Sequence, residues 1–221
     1  MITAIVQSRM GSSRLPGKSM RLLAGKPMLQ HVVERVSACK GVAQVIVATT
    51  DRSEDHPIVE WCRKRAVHYV ACNRLLPDGF NDVLWRFRQA ARLSEDRFFM
   101  RVTGDCPLWC PILGAEVVEA FREHPVEICS NVQPKVDGFD TEIFTRAALI
   151  GAHIRADASY DRQHVTPFMY RFGRVSHVDH LPKVGGLKLS VDTEEDFQRV
   201  RLILEQIQSM NWQETVRLFP Q

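Results

Sequence analysis

The 221-residue chain is long enough for one substantial core and gives no reason to expect a second full domain. Hydrophobic content of 45% and charged content of 25% are ordinary for a globular protein, and a net charge of +3 is too mild to make nucleic acid its main partner. The short apolar run before Gln7 does not read as a signal peptide, and no apolar stretch approaches the roughly 20 residues of a membrane span.

The chain opens on a buried-type strand, "ITAIVQ". Residues 27–40 predict a helix with Met28, Leu29, Val32, Val33 and Val36 on one face and Pro27 in its first turn. "AQVIVATT" is a second strand, 55–66 a helix, "VHYVA" a third strand and 81–93 a helix. "RFFMRVT" is a fourth strand, followed by a helix over 113–123. This alternation predicts an α/β fold, a mostly parallel sheet sandwiched by helices. After residue 125 the pattern loosens. "VEICSN" and "FDTEIFT" read as strands, 144–155 and 160–171 as helices, and "KLSVDTEEDFQRVRLILEQI" as a strand and a long helix. Thr193 and Asp196 have capping-box spacing, and Phe197, Val200, Leu204 and Ile207 form the helix's core face. One domain is expected: a nucleotide-binding part over about 1–125, an acceptor or dimerisation lobe over about 126–185, and sheet completion plus a C-terminal helix over about 186–221.

In such sheets ligands sit beyond the C-terminal strand ends, where "QSRMGSS", "TTDRSED" and "TGDCP" fall. Residues 1–40 carry seven basic side chains and one acid, Glu34, which suggests an anion site. Within "SRMGSSRLPGKS", Gly11 and Gly17 are one residue too far apart for a P-loop, and Pro16 lacks the N–H that a phosphate nest requires. The loop instead offers Arg9, Arg14 and Lys18 as cations, with Ser12 and Ser13 as further donors. Asp105, at a strand end, has the chemistry either of a Mg²⁺ ligand or of an Asx-turn. Asp192 precedes a helix that Thr193 can already cap, so it reads equally as a free carboxylate or as part of the cap. His164 reads more readily as structural than catalytic. Asp140 and Glu142 alternate onto one strand face near Asp137. The six cysteines form no CxxC pair, and Cys106 and Cys110 have no partners at zinc spacing, so reduced thiols in a cytoplasm are expected.

These segments together resemble the cytidylyltransferases that activate acidic sugars, which include the CMP-Kdo and CMP-sialic acid synthetases. The likeness is greatest to the spore coat polysaccharide biosynthesis protein F branch. It is carried by "AIVQSRMGSSRLPGK", "VIVATT", "NDVLWRF", "RVTGDCPL", "DGFDTEIF", "QHVTPFM" and "SVDTEEDF", in the family's order over nearly the whole chain. The resemblance implies a nucleotide-diphospho-sugar transferase fold (GT-A, Rossmann-like) with a small lobe over the site, CTP and a sugar acceptor as partners, Mg²⁺ as cofactor, and a homodimer. By position, Arg9, Arg14 and Lys18 would hold the triphosphate, helped by Gly11, Ser12 and Ser13. Asp105 and Asp192 would bind Mg²⁺, with Arg9, Lys18 and Asp105 central to catalysis. Asp82 would border the substrate, and Asp137, Asp140, Glu142 and His164 would face the acceptor. Departures fall at Asn81 and Trp85, where the family carries acids. Leu75, Leu76 and Phe80 replace a polar loop and are candidates for a lid or a dimer contact. A nucleotidyltransferase using another base or a non-sugar acceptor such as a phosphonate, and a binding-only relative, are the competing readings.

Overall fold

The structure, a computed structural model, describes residues 1–79, 81–132, 136–179 and 186–219. Phe80 lies outside them. Along the chain come β1 (Ile2–Gln7), β2 (Leu22–Leu23), β3 (Lys26–Pro27), α1 (Met28–Ser37), β4 (Val42–Thr49), α2 (His56–Lys64), β5 (His68–Ala71), α3 (Val83–Ala91), β6 (Phe98–Thr103) and α4 (Pro111–Glu123). There follow β7 (Ile128–Ser130), β8 (Val136–Asp137), β9 (Glu142–Thr145), α5 (Arg146–Arg155), α6 (Ser159–His164), α7 (Pro167–Phe172), β10 (Val175–His177), β11 (Leu187–Lys188), α8 (Glu194–Gln206) and α9 (Trp212–Leu218).

The main sheet has seven strands in the order β10-β7-β9-β6-β1-β4-β5. β1 pairs in parallel with both β4 and β6, while β9 runs antiparallel between β6 and β7. Strand alternation divides the core. Ala4, Val6, Val45, Val47, Met100 and Val102 face α1, α2 and α4, whereas Ile5, Ile46, Ala48 and Phe99 face α3, α5 and α7. A third cluster packs Phe139, Leu189 and Val191 against Phe197, Val200 and Ile203 of α8.

The α/β class, the four leading strands and the helices between them agree with the sequence reading. Three details differ. β11 pairs with β8 in a separate two-stranded sheet, so among the described residues, 186–219 do not complete the main one. Its apolar neighbours Leu187, Leu189 and Val191 are buried in the third cluster, which draws the segment off the sheet edge. The helix expected over 160–171 is broken at Val165, where φ is 72°, and resumes at Pro167, which suits a first turn. His164 therefore ends a helix. Leu76 is buried while Leu75 stays half exposed, in a bridge to Asn81.

Candidate active site

The glycine loop leaves β1 and folds over its C-terminal end. Gly17 adopts φ 73°, a left-handed turn that glycine makes without steric penalty. Its N–H donates to Met10 O at 2.9 Å, and the Ser12 N–H donates to the same carbonyl at 2.8 Å. Two backbone donors are thus consumed inside the loop. Ser8 Oγ donates to Ser19 Oγ at 2.9 Å, and Ser19 Oγ donates to Arg9 O at 2.9 Å, pinning the loop's two ends together. Gly104 donates to Gln7 O at 2.8 Å. A Cβ there would stand 2.7 Å from that oxygen, so only glycine lets β1 and the turn after β6 approach this closely.

Lys18 is 8% exposed and its Nζ is the centre of the site. It donates to Asp105 Oδ2 at 3.1 Å, Asp192 Oδ1 at 3.2 Å and Val191 O at 2.5 Å. Arg14 reaches Asp192 Oδ1 at 3.0 Å from the solvent side. The Val191 N–H donates to Asp105 O at 2.8 Å, fixing the two acidic segments to each other. Burial pushes the Asp105 carboxyl upward, but the Lys18 ammonium together with hydrogen bonds from Lys18, Thr103 and its own backbone holds the group below the usual carboxylate range. Asp192's carboxylate takes no part in the cap of α8, which Thr193 and Asp196 form as the expected capping box. Among the described residues no cluster of three or more His, Cys, Asp or Glu has metal geometry. Two carboxylates converging on one cation position nonetheless suit Mg²⁺, which takes one or two carboxylates and completes its shell with water and phosphate.

Two cavities meet at this point. The first, of about 340 Å³, is bordered by Arg9, Ser12, Ser13, Arg14, Lys18 and His164, among others. The second, of about 250 Å³, is bordered by Asp137, Asp140, Glu142 and Arg101. Both share Thr103, Asp105 and Asp192. In the second cavity Arg101 on β6 is ion-paired with Glu142 on β9, and Tyr170 Oη donates to Glu142 at 2.9 Å. Ser190 donates to Asp137, whose carboxyl is raised, chiefly by burial. Asp140 is pushed up to about 7, first by burial and then by the negative charges of Asp137 and Glu142. Its Oδ1 is buried without a hydrogen bond.

Gly11 sits in the loop facing Glu54, where a Cβ would stand 3.0 Å from Oε1. His164 packs on Tyr160 with ring centroids 4.4 Å apart, and burial, then the Arg101 charge, lowers its pKa. Asp82 departs from its expected place beside the substrate. Its side chain is fully buried, caps α3 by accepting from the Trp85 N–H at 2.9 Å, and accepts from Arg162 Nη2 at 2.6 Å and Nε at 2.9 Å. The cavity border at this turn is instead Asn81, Val83 and Arg86. Arg86 and Arg101 were not singled out by the sequence. Both lie within apolar stretches of regular elements, where a charged residue that must be buried is itself a signal.

Comparison with known proteins agrees with this geometry. The profile of the family described as Cytidylyltransferase matches residues 3–216. An uncharacterized protein of Methanocaldococcus jannaschii is 33% identical over 202 residues, 89% of this chain and 80% of that protein. An 8-amino-3,8-dideoxy-manno-octulosonate cytidylyltransferase of Shewanella amazonensis is 37% identical over 127 residues, 57% of this chain, and the match spans only 49% of that relative. Among solved structures, a cytidylyltransferase from Leptospira borgpetersenii superposes with a TM-score of 0.87 at 24% identity, covering 99% of this chain and 96% of that one. CMP:2-keto-3-deoxy-manno-octonic acid synthetase complexed with CTP superposes at 0.71 and 19% identity, over 93% and 98% of the two chains. At those identities the likeness establishes the nucleotidyltransferase fold. With the family profile spanning nearly the whole chain, the protein belongs to the cytidylyltransferase family.

Proposed function

We propose that the protein transfers CMP from CTP to a hydroxyl of an acidic sugar, with Mg²⁺, and releases pyrophosphate. The observation that carries this reading is the meeting of a cation-lined cavity and a carboxylate-lined cavity at Asp105 and Asp192. Arg9, Arg14 and Lys18 suit a triphosphate in the first, and an acceptor in the second reaches the shared wall. The acceptor oxygen attacks the α-phosphorus, and the bond from that phosphorus to the bridging oxygen of pyrophosphate breaks. Asp140, poised near neutrality, is placed to take the hydroxyl proton. Asp105 and Asp192 would hold Mg²⁺, which when bound neutralises charge on the phosphates. The cationic loop positions the triphosphate and draws off charge as pyrophosphate departs.

The octulosonate relatives support an acidic sugar as acceptor. The spore coat protein F branch, and with it surface polysaccharide synthesis, is the pathway we assign. Among the described residues no helix is long and apolar enough to cross a membrane, and all six cysteines are free, in keeping with a reducing cytoplasm. Exposed Ile154 and Phe172 on α5 and α7 suit a homodimer, which sedimentation velocity checks.

The decisive assay measures pyrophosphate release from CTP and Mg²⁺ across a panel of 3-deoxy sugar acids, beside thermal shifts with all four nucleoside triphosphates. CTP-selective stabilisation and acceptor-dependent release are expected. Equal stabilisation by all four bases, or release with no acid in the panel, would refute the cytidine or the acceptor assignment respectively.

A further inference from the structure

Two polar groups at the border of the nucleotide-side cavity have no partner. Arg86 on α3 is 2% exposed, and its Nη2 makes no hydrogen bond. Its Nε donates to Cys72 O at 3.3 Å, which anchors the guanidinium just beyond the end of β5. Asn81, at the turn into α3, carries a buried Oδ1 that also makes no hydrogen bond. Both residues border the cavity that holds Arg9, Val83 and His164.

Nearby carboxylates are engaged elsewhere. Asp55 accepts from the Met10 N–H and from Thr50, and Asp82 accepts from Arg162 and the Trp85 N–H. A buried guanidinium N–H without an acceptor is unfavourable, and more so than a neutral donor in the same state. One unpaired donor and one unpaired acceptor on a shared cavity border suit a ligand that both accepts and donates.

We propose that Arg86 and Asn81 read the Watson–Crick edge of cytosine, Arg86 Nη2 donating to its N3/O2 edge and Asn81 Oδ1 accepting from its 4-amino group. Uracil reverses two of these positions, placing a carbonyl against Asn81 Oδ1 and an N–H against Arg86. Acceptor would face acceptor and donor would face donor. The proposal rests on the cytidylyltransferase reading above and assigns its base specificity to two residues.

The test is calorimetric titration of wild type, Arg86→Met and Asn81→Ala with CTP, UTP and inorganic tripolyphosphate. Wild type is expected to prefer CTP to UTP by at least about tenfold, and each variant to lose most of that preference through an about tenfold weaker hold on CTP. Tripolyphosphate affinity should stay within about twofold of wild type in both variants. A CTP preference that survives in both variants overturns the proposal. So does a proportionate loss of tripolyphosphate, which would place Arg86 on the phosphates. If Arg86→Met does not fold by circular dichroism, Asn81→Ala decides on the same criteria. A wild type with no CTP preference refutes the cytidine reading itself, and the base-reading pair with it; a preference that ignores both residues refutes only the pair.

Discussion

Lys18 Nζ stands 3.2 Å from Asp192 Oδ1, although 174 residues separate the two in the chain. The same nitrogen contacts Asp105, so a single ammonium joins the first loop to both acidic strand ends. Lys18→Ala is expected to weaken CTP binding by about 10- to 100-fold, the worth of one charge-assisted hydrogen bond. It should also lower Tm, because Asp105 loses its ammonium partner and Asp192 keeps only Arg14 and Lys188, and added Mg²⁺ should restore part of the loss. Calorimetry with CTP and melting with and without Mg²⁺ check both; unchanged CTP affinity refutes the role.

Asp105→Asn preserves shape and removes the charge. Pyrophosphate release should fall by at least about a hundredfold, while CTP affinity changes much less, since the loop cations remain. Near-normal turnover in this variant would sink the metal assignment.

Asp82 is a structural residue by geometry, fully buried beneath Arg162. Asp82→Ala leaves that guanidinium without its carboxylate and α3 without its cap, so about 3 kcal/mol of stability should be lost. CTP affinity of the folded fraction should hold within about twofold. Urea melts and titration separate the two effects, and a stable variant with weak CTP binding would contradict the assignment.

Asp140 gives a pH signature. Its carboxyl is raised to about 7 by burial and by Asp137 and Glu142, with Arg101 the opposing charge. If it takes the hydroxyl proton as proposed, kcat/KM should rise with pH to a plateau above about 7. Stability runs the other way. A carboxyl whose folded pKa exceeds its unfolded value binds its proton more tightly when folded, so its contribution is full at acid pH and is lost as pH rises from the ordinary carboxylate range through about 7. Asp140→Asn should therefore melt higher than wild type at pH 8, match it near pH 4, and lose the rising limb of the rate profile. A profile identical to wild type would remove Asp140 from the proton path.

The parallel half of the fold was legible because each strand is a short apolar run and each helix shows a 3.6-residue stripe. The cationic loop and Asp105 were legible because they follow strands of that half, and Asp192 because it stands just before a helix with a recognisable cap. The separate pairing of β8 with β11 was not, since two-residue strands leave no period and their partners lie about fifty residues apart. The break at Val165 was also hidden, because nothing in a valine announces a positive φ. Asp82 was misplaced because its partner, Arg162, arrives from α6, and such a pairing is invisible until the chain is folded.

β9 runs against the grain of its neighbours. A parallel strand delivers the residues at its exit to the crevice, but β9 delivers those at its entrance. Asp140 and Glu142 therefore reach the site from chain that comes before or begins β9, and Asp137 from β8 just ahead of it, whereas the cationic loop follows β1. The ion pair of Arg101 on β6 with Glu142 on β9 ties the two strand directions together within the second cavity, and Thr103, Asp105 and Asp192 join it to the first. Changes at residues 137–142 would therefore alter the second cavity without touching the cationic loop that borders the first.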